Sequence, residues 1–229
     1  MQISKSNIDF LKQLSKNNNR DWFQANKATA YQSALDNTIA FADCLLSEMK
    51  KHDNIETVSG KKSLYRIYKD IRFSKDKTPY KTHWGGYFKR ATNHLRGGYY
   101  FHIQPGNCFV GGGFWNPNPE DLKRIRIELA ADGSELRKII GSKNFIDTFG
   151  QLDGNQVKTA PKGFSKEHEN IDLLRYKQFL VSKKFTEKEM LAKDFYKEAN
   201  KVFENMRPFF DYMSEVLTTD ENGESLYAQ

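Results

Sequence analysis

Cysteine is almost missing. Cys44 and Cys108 are the two in 229 residues. One lies on a helical apolar stripe and the other on a strand pattern, which predicts buried thiols and not a disulfide framework. No CxxC, HExxH or GxxxxGK[ST] occurs, so structural-zinc, zincin and P-loop chemistry lose their usual support. His83, His94, His102 and His168 fall at no tight ligand spacing, and neither a metal nor a cofactor is expected. Carboxylates paired at a telling spacing are also lacking, which disfavours glycosidase-type chemistry. Long hydrophobic runs are absent. Even a run of apolar residues and glycine such as Phe109–Trp115 falls far below the roughly 20 residues that cross a bilayer. Met1–Leu14 carries Lys5, Asp9 and Lys12 without an apolar core, so no secretory leader is expected. The chain reads as cytoplasmic, with no membrane partner.

Aromatic residues are plentiful. Seventeen Phe, eleven Tyr and three Trp argue against intrinsic disorder. The formal net charge is +7, and it is concentrated. Residues 61–96 hold eleven of the Lys and Arg and only Asp70 and Asp76 in opposition. The rest of the chain is slightly acidic. Seven aromatics are interleaved with these cations. Such a segment suits phosphates or nucleic acid, or else forms a solvated lysine face.

Asn7 reads as a cap for a helix through Leu14, and Asn17-Asn18-Asn19 as a turn before a second helix with Trp22 and Phe23. From Lys27 to Lys51, Tyr31, Leu35, Thr38, Ala42, Leu45 and Met49 follow helical spacing. Strand signals follow over Leu64–Phe73, His83–Arg90, Gly98–Gln104 and Asn107–Trp115, the last two flanking a Pro105-Gly106 turn. A four-stranded antiparallel sheet from these runs is the economical assembly, with Val157–Ala160 a candidate fifth strand. Asn118 with Pro119 opens a helix, and Thr186 with Glu189 forms a capping box. Phe195 to Met206 is a late helix that Pro208 ends or kinks, followed by further turns carrying Phe209 to Leu217. The expected architecture is one α+β domain over 1–217, a mainly antiparallel sheet of four to five strands flanked by helices from both chain ends. Residues 218–229 read as a polar acidic tail.

Read as a strand, Leu64–Phe73 places Arg66, Asp70 and Arg72 on one face. An Asp between two Arg orients guanidinium forks for bidentate binding of phosphate or carboxylate. The run Arg72 to Lys81 adds Lys75, Lys77 and Lys81 on a loop. If the hairpin turn is two residues long, His102 faces Phe109. Tyr99, Phe101, Ile103, Cys108 and Val110 then share an apolar face, and Tyr100, His102 and Gln104 lie on the other. Gly111-Gly112-Gly113 beside them reads as a ligand floor or as a tight bend under a helix. The anion-binding candidates are therefore Arg66, Arg72, Lys75, Lys77 and Lys81. The catalytic candidates are His102, Asp70 and Tyr100, with His83 able to reach the same region.

Several of these runs carry a resemblance. They are Asn17-Asn18-Asn19-Arg20-Asp21-Trp22-Phe23 with Asn26-Lys27, Tyr65 to Asp70, Arg72 to Lys81, Gly98 to Pro105, Gly111 to Trp115, and Pro161 to Phe164. Together they resemble the family called domain of unknown function 2461, over about residues 7–217. That family tends to have Arg where Lys69 stands. The resemblance implies a single cytoplasmic domain and carries no activity with it. Three functions fit the residues: an anion-binding module for nucleic acid or polyphosphate, an enzyme on a small phosphorylated or carboxylated substrate, or a structural, partner-binding protein.

Overall fold

Short polar side chains mark where the first helices start. In a computed structural model that describes residues 2–220 and 222–227, Ser4 caps α1 (Lys5–Lys16), its Oγ accepting from Asn7 N at 3.2 Å. Asn19 caps α2 (Arg20–Asn26) in the same way, through Trp22 N. Asn7 is thus not the cap that its position in the sequence predicts. Ser4, three residues earlier, takes that role, and Asn7 is turned inward and fully buried. Its Nδ2 donates to Ala34 O and Thr38 Oγ1, and its Oδ1 accepts from Trp84 Nε1 at 2.7 Å. A π-helical turn, Lys27–Tyr31, joins α2 to α3 (Gln32–Met49) where the periodicity predicts an unbroken helix. Tyr31, at its end, packs against Phe10, Phe23 and Trp84.

After the short α4 (Gly60–Ser63) come β1 (Trp84–Lys89), β2 (Gly98–Ile103) and β3 (Cys108–Phe114). Next are α5 (Pro119–Ala131), α6 (Ser134–Ile140), α7 (Lys143–Phe149) and α8 (Ile171–Leu174). The chain closes with β4 (Phe179–Phe185), α9 (Glu187–Met190) and α10 (Phe195–Thr218). The sheet is four-stranded and antiparallel, in the order β1-β2-β3-β4, so the fold is α+β. Asn118 with Pro119 does open α5, and the Thr186–Glu189 capping box is complete. Pro208 does not end the last helix. α10 continues through it to Thr218, because Phe209, Phe210, Met213 and Leu217 are all buried. That burial outweighs the roughly 3 kcal/mol an internal proline costs.

Two strand expectations need correction. Leu64–Phe73 is not a sheet strand. It touches others only through isolated bridges, Leu64 with Gly86 and Tyr68 with Tyr80. Asp70 and Asp76 are the reason: their carboxylates accept from the backbone N–H of Arg72 and Thr78, two residues on. Such local bonds divert the chain from a ladder. The fourth strand is β4 instead. Val157–Ala160 likewise forms no strand, and only Asp153 and Gln156 make bridges nearby.

Contacts divide the chain into two units: Met1–Phe88, Tyr100–Val110 and Lys184–Lys201 in one, and Lys89–Tyr99, Gly111–Lys183 and Val202–Gln229 in the other. The first unit has a core of Ile8, Leu11, Phe23, Phe41, Leu45, Trp84, Phe88 and Phe101. In the second, Tyr99 packs on Phe203 and Phe210, with Ile125, Leu129, Leu136, Phe145 and Phe179 also buried. Arg90 is buried there too. It pairs with Asp211, donates to Ser214 Oγ and the Arg96 carbonyl, and lies against the Phe210 ring. Cys44 and Cys108 are free thiols. Past α10, Thr219 bridges to Ser225. Within the expected tail, residues 221, 228 and 229 lie outside the described residues.

Candidate functional site

β1 begins Trp84-Gly85-Gly86, and its two glycines leave room for the rings of β2 on opposite faces. A Cβ on Gly86 would lie 2.2 Å from the ring of Phe101, which faces the core of the first unit. A Cβ on Gly85 would lie 2.7 Å from the Tyr100 hydroxyl. Tyr100 is therefore seated over bare backbone on the face away from the core. Its Oη lies 2.9 Å from His102 Nδ1, and His102 Nε2 lies 3.0 Å from Gln104 Oε1. Gln104 Oε1 can only accept, so Nε2 carries the hydrogen and Nδ1 accepts from the tyrosine hydroxyl. The hairpin that aligns these residues is closed by Asn107 N donating to Gln104 O at 3.0 Å. Gly106 takes a positive φ of 77°, as a Pro-Gly turn of type II requires.

The His102 ring is sandwiched. Phe109 stacks on it at 4.8 Å, 15° from parallel, and His83 stacks on it at 4.3 Å. His102 is only 9% exposed, and burial lowers its pKa. The His83 pKa is pushed down to about 4, first by burial, then by the neighbouring His102, Lys81 and Lys69. Both imidazoles are accordingly neutral at pH 7. Tyr100 is pushed up to about 12, first by burial. The phenol thus keeps its proton and donates it in a hydrogen bond. Lys81 stands at the rim. Its Nζ donates to the Arg66 carbonyl at 2.8 Å and lies 5.6 Å from the Tyr65 ring centre. Burial and Arg66 lower its pKa. Tyr65 in turn lies beside Tyr100, ring centres 6.3 Å apart.

The basic segment doubles back on itself. Lys69 N donates to Pro79 O at 2.9 Å and Lys81 N to Ile67 O at 2.7 Å. Asn18 pins the return, accepting from Tyr80 N and donating to Tyr80 O through one side-chain amide. Asp70 does not lie between two arginines. Both of its oxygens face Arg72, at 2.9 and 2.6 Å, and Arg72 is the main cause of its lowered pKa. Lys69 is taken by Asp76 and Thr78. Arg96 pairs with Asp121. Arg66, Lys75, Lys77 and Lys81 make no ion pair with a described carboxylate, although Lys77 donates to the Ile71 carbonyl.

The chain therefore brings His102, Tyr100 and His83 together, with Lys81 and the Arg66 backbone at their edge. Asp70, Arg72, Lys75 and Lys77 belong to the folded-back loop. The glycine run is not a ligand floor. Added Cβ atoms on Gly111 and Gly113 would meet the β4 carbonyls of Val181 and Phe179, and one on Gly112 would meet Phe210. These glycines admit the neighbouring strand and helix. The sequence sets Phe109 across from His102, as the structure does, but does not mark Phe109 or Tyr65 as site residues. The antiparallel Leu64–Gly86 bridge sets Tyr65 beside Gly85, the glycine under Tyr100, and so on the Tyr100 side.

Among the described residues no group of three or more His, Cys, Asp or Glu side chains is placed to hold a metal ion. No helix among them is long and apolar enough to cross a membrane. A family model described as "Conserved hypothetical protein (DUF2461)" matches residues 6–212. The chain belongs to this family. The DUF2461 match covers both the folded-back loop and the histidine cluster. No curated protein and no solved structure matches the chain.

Proposed function

We propose that this cytoplasmic protein is an anion-binding module for nucleic acid or polyphosphate, working through the basic segment at 61–96. The observation that carries this reading is the uneven fate of the cations on one short stretch. Lys69, Arg72, Arg90 and Arg96 are held by carboxylates of the fold. Arg66, Lys75 and Lys77 are exposed and have no such partner among the described residues. Exposed cations without internal partners are what a phosphate backbone neutralises, with release of its counterions.

The test is fluorescence anisotropy of labelled oligonucleotides, with polyphosphate as competitor, at about 50 and 200 mM salt. The wild type should bind at the lower salt and weaken steeply at the higher. Arg66→Ala/Lys75→Ala/Lys77→Ala should lower the slope of log affinity against log salt by about 2 to 3, near one per lost contact. No binding at 50 mM would refute the reading.

A second reading is an enzyme on a small phosphorylated or carboxylated substrate, favoured by the Tyr100–His102–Gln104 hydrogen-bond chain. In it the Tyr100 hydroxyl takes a proton from the substrate as its own proton passes to Nδ1 of the neutral His102, while Lys81 holds the anion. His102→Ala would then abolish turnover and spare binding.

A further inference from the structure

The loop from Lys69 to Pro79 presents an aromatic ring to solvent where the chemistry of folding gives no reason for one. Phe73 is 95% exposed. Leaving such a side chain in water forfeits about 1.5 to 3 kcal/mol of transfer free energy. The loop is not loosely attached: the Tyr68–Tyr80 bridge, the paired backbone bonds at its base and the Asn18 clamp all hold it. Asp70 and Asp76 add turns within it. Phe73 is thus displayed on a braced structure.

Its neighbours are cationic. The Arg72 guanidinium lies 5.9 Å from the Phe73 ring centre, and Lys75 and Lys77 follow, both exposed. Towards the base of the loop Tyr68 is 46% exposed, its ring steadied by Phe23 and Tyr80. Tyr65, beside Arg66, is 51% exposed. Exposed rings interspersed with Arg66, Lys75 and Lys77, which make no ion pair among the described residues, match a ligand that offers both flat bases and phosphates. A polyphosphate has no π-face to stack. A duplex keeps its bases stacked on one another.

We infer that the ligand is single-stranded nucleic acid, held by base stacking on Phe73 and Tyr68 with its phosphates on Arg66, Lys75 and Lys77. This rests on the anion-binding reading and narrows its ligand. Stacking of this kind is tolerant of sequence, because every base has a face.

The experiment compares wild type, Phe73→Ala, Phe73→Trp and Tyr68→Ala. The probes are a labelled single-stranded oligothymidylate, a duplex, polyphosphate, and vesicles containing phosphatidylserine, all at about 50 mM salt. Phe73→Ala should weaken single-strand binding about tenfold or more, and Phe73→Trp should restore it. Affinity for polyphosphate should stay unchanged. Phe73 is almost wholly exposed, so the melting temperature should also stay unchanged and keep loss of folding apart from loss of binding. If Phe73→Ala binds the single strand as the wild type does, or Phe73→Trp is as weak as Phe73→Ala, the inference falls while the anion-binding reading stands. If vesicles bind through Phe73 and the single strand does not bind, the surface is a membrane contact and the inference is overturned. If the wild type binds neither oligonucleotide nor polyphosphate, both readings fall together.

Discussion

Substituting alanine at two adjacent glycines should give two different failures. Neither Gly85 nor Gly86 has a positive φ, so each backbone accepts alanine without strain. The substitution alone would stabilise by about 0.4 to 1 kcal/mol through the unfolded chain. At Gly86 the new methyl meets Phe101 Cε1 at 2.2 Å and Cζ at 2.5 Å. Phe101 is 1% exposed and wedged between Phe41 and Phe88. It has no route outward. Overpacking of about 3 kcal/mol less the backbone gain leaves Gly86→Ala destabilised by about 2 kcal/mol. For a chain of this size that is a fall in Tm of about 6 °C. At Gly85 the methyl meets the Tyr100 hydroxyl at 2.7 Å. Tyr100 is half-buried and can swing away, giving up its bond to His102. A loss of about 1 kcal/mol is nearly offset by the backbone gain, so Tm should move by less than about 2 °C. The imidazole 15N resonances of His102 should shift in Gly85→Ala and hold still in Gly86→Ala. Thermal unfolding followed by circular dichroism, together with histidine-selective NMR, measures both. A Tm loss larger at Gly85 than at Gly86, or unmoved His102 resonances in Gly85→Ala, would refute the face assignment on which the site rests.

Acid should weaken the fold through His83. Its folded pKa of about 4 lies below the ordinary 6.5, so the unfolded chain takes the proton more readily and stability is lost as pH falls from about 6.5 towards 4. Urea midpoints at pH 7 and pH 4.5 should differ less in His83→Gln than in the wild type, and equal differences would exclude this role. Asn7→Leu should destabilise by about 2 kcal/mol, because it leaves Trp84 Nε1 buried without its partner, whereas the Ala34 carbonyl still accepts from Thr38 Oγ1. Chemical denaturation measures this, and a loss below about 1 kcal/mol would mean that the buried amide does not organise the first unit.

Some of this was legible residue by residue. The caps at Asn118 and Thr186, the Pro105-Gly106 turn and the buried face of Tyr99, Phe101, Ile103, Cys108 and Val110 follow from signals within a few positions of one another. So does the concentration of positive charge in one segment, since it needs only counting. Other features were written in the sequence but outcompeted. Leu64–Phe73 alternates like a strand, yet Asp70 and Asp76 satisfy nearby backbone groups, only isolated bridges remain beside β1, and the fourth strand is β4, with the weaker pattern of Phe179–Phe185, at the other edge of the sheet. That Arg90 and Arg96 keep an internal carboxylate, that Asn7 turns inward, and that His83 reaches His102 depend on residues far apart in the chain. Local propensity determines turns, caps and faces because it acts through the nearest backbone atoms. The stacking of His83 on His102, the pairing of Arg90 and Arg96 and the exposure of Phe73 are decided only when distant segments meet, because each is set by what the rest of the fold covers or leaves open.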